Sequence, residues 1–254
     1  MRSDRRSLMA ATAAAVGLGT LGFGWQRWQA TRLSFSPLED PAGFRRLDGP
    51  GSGVLGGFDP LAGIALGLGD APQAPPALPI GDLCTALFGP QETGGGAVPV
   101  ASFSDYRCPY CRILTPRLAQ LEADGRVAVR WHEWPLLGSV SEVAARAALA
   151  ASLQDAYAAF HARLMGSPFV PTEAYLLELA QRNGLDGPRL VADMASPEVA
   201  RDIDVAKALA RRFGCPGTPA LVVGRTVVVG AIPPRRLAAL IRRETEDGPV
   251  KACV

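Results

Sequence analysis

Cys108 and Cys111 stand three positions apart in SDYRCPYCR, residues 104–112, with Pro109 and Tyr110 between them. Such a pair can ligate a metal, staple the chain, or cycle between dithiol and disulfide. A structural zinc site takes four ligands, usually from a second CxxC or paired histidines. No second CxxC exists here, and His132 and His161, the only histidines, are far apart in the chain. Copper held by two thiolates needs no other ligand and stays open as a rival. Closing so short a loop constrains the unfolded chain little, which disfavours a pure staple. Redox cycling is the reading that needs nothing further from the sequence.

The elements around the pair bear on that chemistry. AVPVASFSDY before it is apolar and aromatic, as a buried strand is. From Pro109 to Ala123 the spacing predicts a helix, with proline in its first turn and Ile113, Leu114, Leu118 and Leu121 on one face. Cys108 therefore stands at a helix N-terminus, where unpaired N–H groups and the helix dipole favour a thiolate. RVAVRWHEW (126–134) reads as a second strand, giving a βαβ unit and a parallel pair. Helices are expected over 141–165 (capped by Ser141), 172–183, 188–194 and 197–213. ALVV (220–223) and TVVV (226–229) flank Gly224-Arg225 as a hairpin, and a last helix runs from Pro234 to about Glu246. The expected fold is α/β: a mixed sheet of about four strands with helices on both faces. In GCPGTPALVV, Pro219 at the mouth of a strand is a candidate for a cis peptide with Thr218, or a trans turn proline.

The 254 residues suffice for one sizeable core, 48% of them are apolar, and the formal net charge is +2. No Lys/Arg-dense block points to nucleic acid. The first ten residues are basic, and Ser7 to Gln26 is a run of twenty without charge, about 30 Å as helix. Arg5-Arg6-Ser7-Leu8-Met9 resembles a twin-arginine export signal, and the small-x-small cleavage site expected at the end of the uncharged run is missing, because Trp28 stands where the first small residue before Ala30 belongs. Residues 1–30 are thus expected to be an export signal or a membrane anchor through 7–26, with the remainder on the oxidising, periplasmic side. Residues 31–96 hold 9 prolines and 14 glycines in 66 positions and read as a linker. Within it, GDLCTALFG and DPLAGIALGLGD are short apolar patches able to dock on a core. The domain proper is expected at 97–248.

Taken together, SFSDYRCPYCR, EWPLLG, AARAALAA, FHARLM and GTPALVVG resemble the DsbA-like branch of the thioredoxin-fold thiol–disulfide oxidoreductases, over about residues 96–246. The resemblance implies a thioredoxin-like fold with a helical insertion at about 139–210. It implies Cys108 as exposed nucleophile, Cys111 as resolving thiol, Pro219 as the facing cis-proline, and Thr218 as a backbone seat for substrate. It implies no cofactor and no metal, exported client proteins with cysteine thiols, and a membrane redox partner. The family's acidic residue six positions before the first cysteine is Ser102 here, which leaves Asp105 and Glu133 as candidate proton carriers for Cys111. His161 sits in a Phe-His pair and reads as a packing residue rather than a catalytic one. Of the other cysteines, Cys84 and Cys215 are expected to pair or stay as buried thiols, with Cys253 odd. Residues 31–96 lack the periodicity of an oligomerisation segment. A monomeric dithiol oxidase is therefore expected, with an isomerase, a reductase or a copper-binding module as alternatives.

Overall fold

In the computed structural model, residues 32–49, 82–90, 96–250 and 253 are described. The expected export signal and anchor over 1–30, with the uncharged run 7–26, lie outside these residues. Among the described residues no helix is long and apolar enough to cross a membrane.

The central strand is β3 (Val98–Ser104), followed by helix α2 (Pro109–Ala123) and strand β4 (Val127–Glu133). β3 and β4 pair in parallel, as a βαβ unit requires. The hairpin of β5 (Ala220–Val223) and β6 (Thr226–Val229) joins the other edge of β3 antiparallel, through Val100↔Val223 and Phe103↔Ala220. Helix α8 (Pro234–Asp247) closes the chain order. The strand period of two splits β3 between two cores. Val98 and Val100 face α2 and α8 with Leu114, Leu118, Leu237 and Leu240. Ala101 and Phe103 face the opposite side with Trp134, Leu209 and Phe213.

The sheet has six strands rather than the four expected. Two come from the Gly/Pro-rich stretch: β1 (Phe35–Pro37) and β2 (Arg45–Leu47), in the order β1-β2-β6-β5-β3-β4. Three residues apiece carry no readable period, so long-range contacts fix these strands. β2 lies parallel to β6, and Arg45 reaches across to Thr226 Oγ1 at 2.8 Å, Glu244 Oε1 at 2.5 Å and Asp247 Oδ2 at 2.7 Å. Glu244, buried on α8, also accepts from the Arg225 N–H in the hairpin turn. Gly224 in that turn has φ +54°, and a Cβ there would come within 2.3 Å of the Glu244 carboxylate, so only glycine fits. GDLCTALFG does dock: it forms helix α1 (Leu83–Phe88), capped by Asp82, with Leu87 and Phe88 buried. DPLAGIALGLGD lies outside the described residues.

Cys84 on α1 is bonded to Cys253, and Cys215 is a buried free thiol, so the expected Cys84–Cys215 pairing is corrected. Cys215 falls in the loop after Phe213, where its N–H caps the preceding helix on Ala210 O. Burial pushes its thiol up to about 12, so it stays protonated and inert at neutral pH.

The insertion between β4 and β5 comprises α3 (Ser139–Ser152), α4 (Tyr157–Gly166), α5 (Glu173–Arg182), α6 (Gly187–Asp193) and α7 (Pro197–Arg212). The single helix expected over 141–165 is two. Ser152 Oγ donates to Leu149 O, the Ala156 N–H turns back to Ala151 O, and Asp155 takes φ 58°. A short polar side chain tolerates that left-handed conformation, so no glycine or proline marks the break. Ser141 is not a cap: Gly138 holds the N-cap position, and Ser141 Oγ donates to Asp105 Oδ1 at 2.7 Å. The alanines of α3 are buried and let the neighbouring helices approach closely.

Candidate functional site

β3 ends at Ser104, and a tight turn carries the chain into α2. Asp105 builds that turn. Its buried carboxylate accepts from the Arg107 N–H at 2.7 Å, the Leu136 and Leu137 N–H groups at 2.7 and 2.9 Å, and Ser141 Oγ at 2.7 Å. It thereby ties the cysteine turn to the start of the helical insertion. With both oxygens engaged in fixed bonds, Asp105 is a positioning residue, and its candidacy as a proton carrier for Cys111 is set aside. Asp105→Asn keeps one acceptor and loses the charge, so it should lower stability by about 2 kcal/mol. Urea unfolding of the two proteins measures this, and equal midpoints would show the turn to be held otherwise.

Cys108 occupies the N-cap of α2, and its Sγ accepts the Cys111 N–H at 3.4 Å. Pro109 takes the next position, where the missing N–H costs nothing. On its other side, Cys108 Sγ lies 3.4 Å from the carbonyl oxygen of Thr218, to which the S–H of the protonated form donates. The Thr218-Pro219 bond is cis. The structure thus brings together Cys108, Cys111 and Thr218, with Pro219 next in chain. Both cysteines are free thiols. Cys108 is 4% exposed and Cys111 1%. The expected exposed nucleophile is corrected accordingly: Cys108 is buried in the core cluster that also holds Tyr106, Cys111 and the alanines of α3.

The two thiols differ electrostatically. The Cys111 thiol, together with the N–H groups of the first turn and against the effect of burial, favours the Cys108 thiolate and brings its pKa down to about 6. Burial and the neighbouring Cys108 charge push Cys111 strongly up. At neutral pH the pair holds one charge, on Cys108.

Glu133 and His161 belong to a separate buried cluster that also contains Tyr106 and Tyr157. Glu133 Oε1 accepts from Tyr106 Oη at 2.7 Å and Tyr157 Oη at 2.6 Å, and lies 3.0 Å from His161 Nδ1. Burial, with the Glu133 charge, raises both tyrosines well above their ordinary range, so both keep their protons and donate. His161 stacks on Tyr157 and lies against Trp131. No hydrogen bond joins Glu133 to either cysteine among the described residues. Tyr106 and Tyr157 were not singled out from the sequence. The i,i+4 spacing of Tyr157 and His161 was the signal available for them. His132 points to the other face of the sheet, stacked 4.7 Å from Phe103, with its Nε2 donating to Leu87 O. Burial brings its pKa down to about 4, so it is neutral. Among the described residues no group of three or more His, Cys, Asp or Glu side chains is placed to hold a metal ion.

Exposed apolar side chains stand on the elements that carry and flank the cysteines. Tyr110, Ile113, Leu136, Leu137, Phe169 and Val170 are the exposed large apolar side chains among the described residues. All lie in α2's first turns, in the loop held by Asp105, or in the 167–171 loop that Arg112 bonds through Ser167 O.

Comparison with known proteins places this geometry among relatives. The DSBA-like thioredoxin domain family matches residues 99–242. A thioredoxin-like oxidoreductase from Silicibacter pomeroyi superposes with a TM-score of 0.58 at 39% identity, covering 64% of this chain and 97% of that one. The catalytic domain of Proteus mirabilis ScsC gives 0.55 at 25% identity, covering 64% and 94%. A periplasmic thioredoxin-like protein from Salmonella enterica gives 0.53 at 27%, covering 65% and 96%. A curated relative, the Na(+)/H(+) antiporter NhaA 3 of Salinispora tropica, is 32% identical over 125 residues. The match takes in 46% of this chain, which spans 19% of that relative.

Proposed function

Because the chain belongs to the DSBA-like thioredoxin domain family of thiol–disulfide oxidoreductases, we propose that it forms disulfides in exported proteins through Cys108 and Cys111. The observation that carries this reading is the asymmetry of the pair: a thiolate favoured on Cys108 at the helix N-terminus and a thiol on buried Cys111.

In the oxidised enzyme a client thiolate attacks Cys108 Sγ. The Cys108–Cys111 bond breaks, a client–Cys108 disulfide forms, and Cys111 leaves and takes up a proton, as its raised pKa demands. A second client thiolate then attacks the client sulfur. Cys108 leaves as the stabilised thiolate, the client gains its disulfide, and two electrons have passed to the enzyme. A membrane redox partner of the exported compartment removes them. The client lies extended along the backbone at Thr218, beside the cis-Pro219 turn, as a short added strand. Chain atoms rather than side chains make that seat, so many sequences fit it. The apolar rim suits unfolded clients, whose apolar residues are exposed.

The chain acts as a monomer on the periplasmic side, held to the membrane by residues 7–26. Favouring the Cys108 thiolate stabilises the reduced state and so makes the disulfide oxidising. The reduction potential should lie well above the thioredoxin value of about −270 mV, toward about −120 mV. Equilibration with glutathione buffers measures it, and sedimentation measures the monomer. A thioredoxin-like potential, or an oligomer that refolds scrambled substrates, would move the assignment to a reductase or isomerase. Tight copper binding by a protein that oxidises no thiol would move it to a metal module.

A further inference from the structure

A pocket of about 220 Å³ opens beside the cysteine turn, where α2 meets the helical insertion. Val140, Ala144, Leu164, Phe169 and Val170 make its apolar wall, and Arg107 and Arg112 its polar one. These arginines flank Cys108 in the chain, one before it and one a turn after. Arg112 is tied to the Ser167 carbonyl, which fixes its guanidinium at the rim, while Arg107 is exposed. No acidic side chain lines the pocket, and neither arginine forms a salt bridge among the described residues. The nearest acid in sequence, Asp105, has both oxygens committed to the turn. Thr218 and Pro219 do not line the pocket, so it is distinct from the strand seat.

We propose that this pocket reads the client segment next to the reacting cysteine and selects one that pairs an aromatic or large aliphatic residue with an acidic one. The apolar side chain enters between Phe169, Leu164 and Val140, and the carboxylate meets Arg107 and Arg112 at the rim. The inference rests on the reading of Cys108 as the client-bonding thiol, and it adds a charge preference to a strand seat that has none. Two positive charges without counter-charges attract an acidic client and repel a basic one, so the preference is electrostatic and weakens with salt.

The test separates binding from chemistry. Thiol-free peptides with serine in place of the client cysteine, followed by Glu-Phe, Lys-Phe or Glu-Gly, are titrated against the full chain and followed by fluorescence anisotropy. Glu-Phe should bind about tenfold tighter than Lys-Phe at low ionic strength, with Glu-Gly weaker than Glu-Phe. Added salt should narrow the first gap. Arg107→Glu, at an exposed position, should abolish or reverse the charge preference, and Phe169→Ala should remove the advantage of Glu-Phe over Glu-Gly. Equal binding of Glu-Phe and Lys-Phe, or a preference that survives Arg107→Glu, overturns the inference. Oxidation of dithiothreitol by the disulfide form is measured in parallel. A protein that sorts the peptides but oxidises no dithiol keeps the pocket and loses the oxidase; one that oxidises dithiothreitol but does not sort the peptides does the reverse.

Discussion

Replacing Cys108 by serine should take thiol–disulfide exchange to the background rate, because the Cys108–Cys111 disulfide that a client attacks can no longer form. Cys111 is left without its partner, and Cys215 is a buried thiol elsewhere in the fold. The wild-type dithiol should show the matching pH dependence. Only a thiolate alkylates at a useful rate, so iodoacetamide labelling should rise with pH, reach half its plateau at about pH 6, and fall about tenfold per unit below that. A free cysteine would reach half plateau near pH 8.5. Mass spectrometry of the labelled peptide should find the adduct on Cys108. Labelling of Cys111 first at neutral pH, or a midpoint near 8.5, would contradict the assignment of the low-pKa thiol to the helix N-cap.

The second large effect concerns stability. The Cys84–Cys253 disulfide closes a loop with a sequence separation of 169 residues. For a loop of that length the chain-entropy account gives a loss of up to about 5 kcal/mol when the bond is removed. Cys84→Ser with Cys253→Ser should therefore lower the melting temperature by roughly 10 °C or more. The redox pair should be untouched, since Cys84 lies on α1, against the face of the sheet opposite α2. Calorimetry of the double variant measures the first and iodoacetamide labelling the second. An unchanged melting temperature would mean that α1 and the segment at Val250 are held in place by the burial of Leu87, Phe88 and Val250 alone.

What could be read from the chain divides by the distance over which it is encoded. The cysteine turn was legible because its cues are local: an apolar strand, a proline at the first helical position and a 3.6-residue period meet at Cys108. The hairpin was legible for the same reason, through Gly224 between two β-branched runs. β1 and β2 were not, because what makes Arg45 part of a strand is Thr226, Glu244 and Asp247, some 180 to 200 positions away. The disulfide partner of Cys84 is not legible on like grounds: Cys215 stands beside a core strand in sequence and Cys253 does not, and only the folded path brings Cys253 to Cys84. The break between α3 and α4 escaped notice because an aspartate, rather than a glycine, takes the left-handed conformation at position 155. In the site, Cys108 and Cys111 followed from type and spacing. Asp105 and Glu133 followed only as acids near the pair, and their partners gave them different work: Asp105 four donors in a turn, Glu133 two phenols and an imidazole.

The bond between Cys84 and Cys253 also bears on how this chain must itself be made. Cys108, Cys111 and Cys215 all stand between the two partners in sequence. An oxidant that joined cysteines in the order in which they are synthesised would link Cys84 to Cys108 and spoil the reactive thiol. To reach the native arrangement directly, Cys84 must wait until nearly all of the chain up to residue 253 has been made. A protein proposed to make disulfides in others is thus a demanding substrate for the same chemistry, and its maturation depends on folding that precedes oxidation or on an agent that corrects early errors.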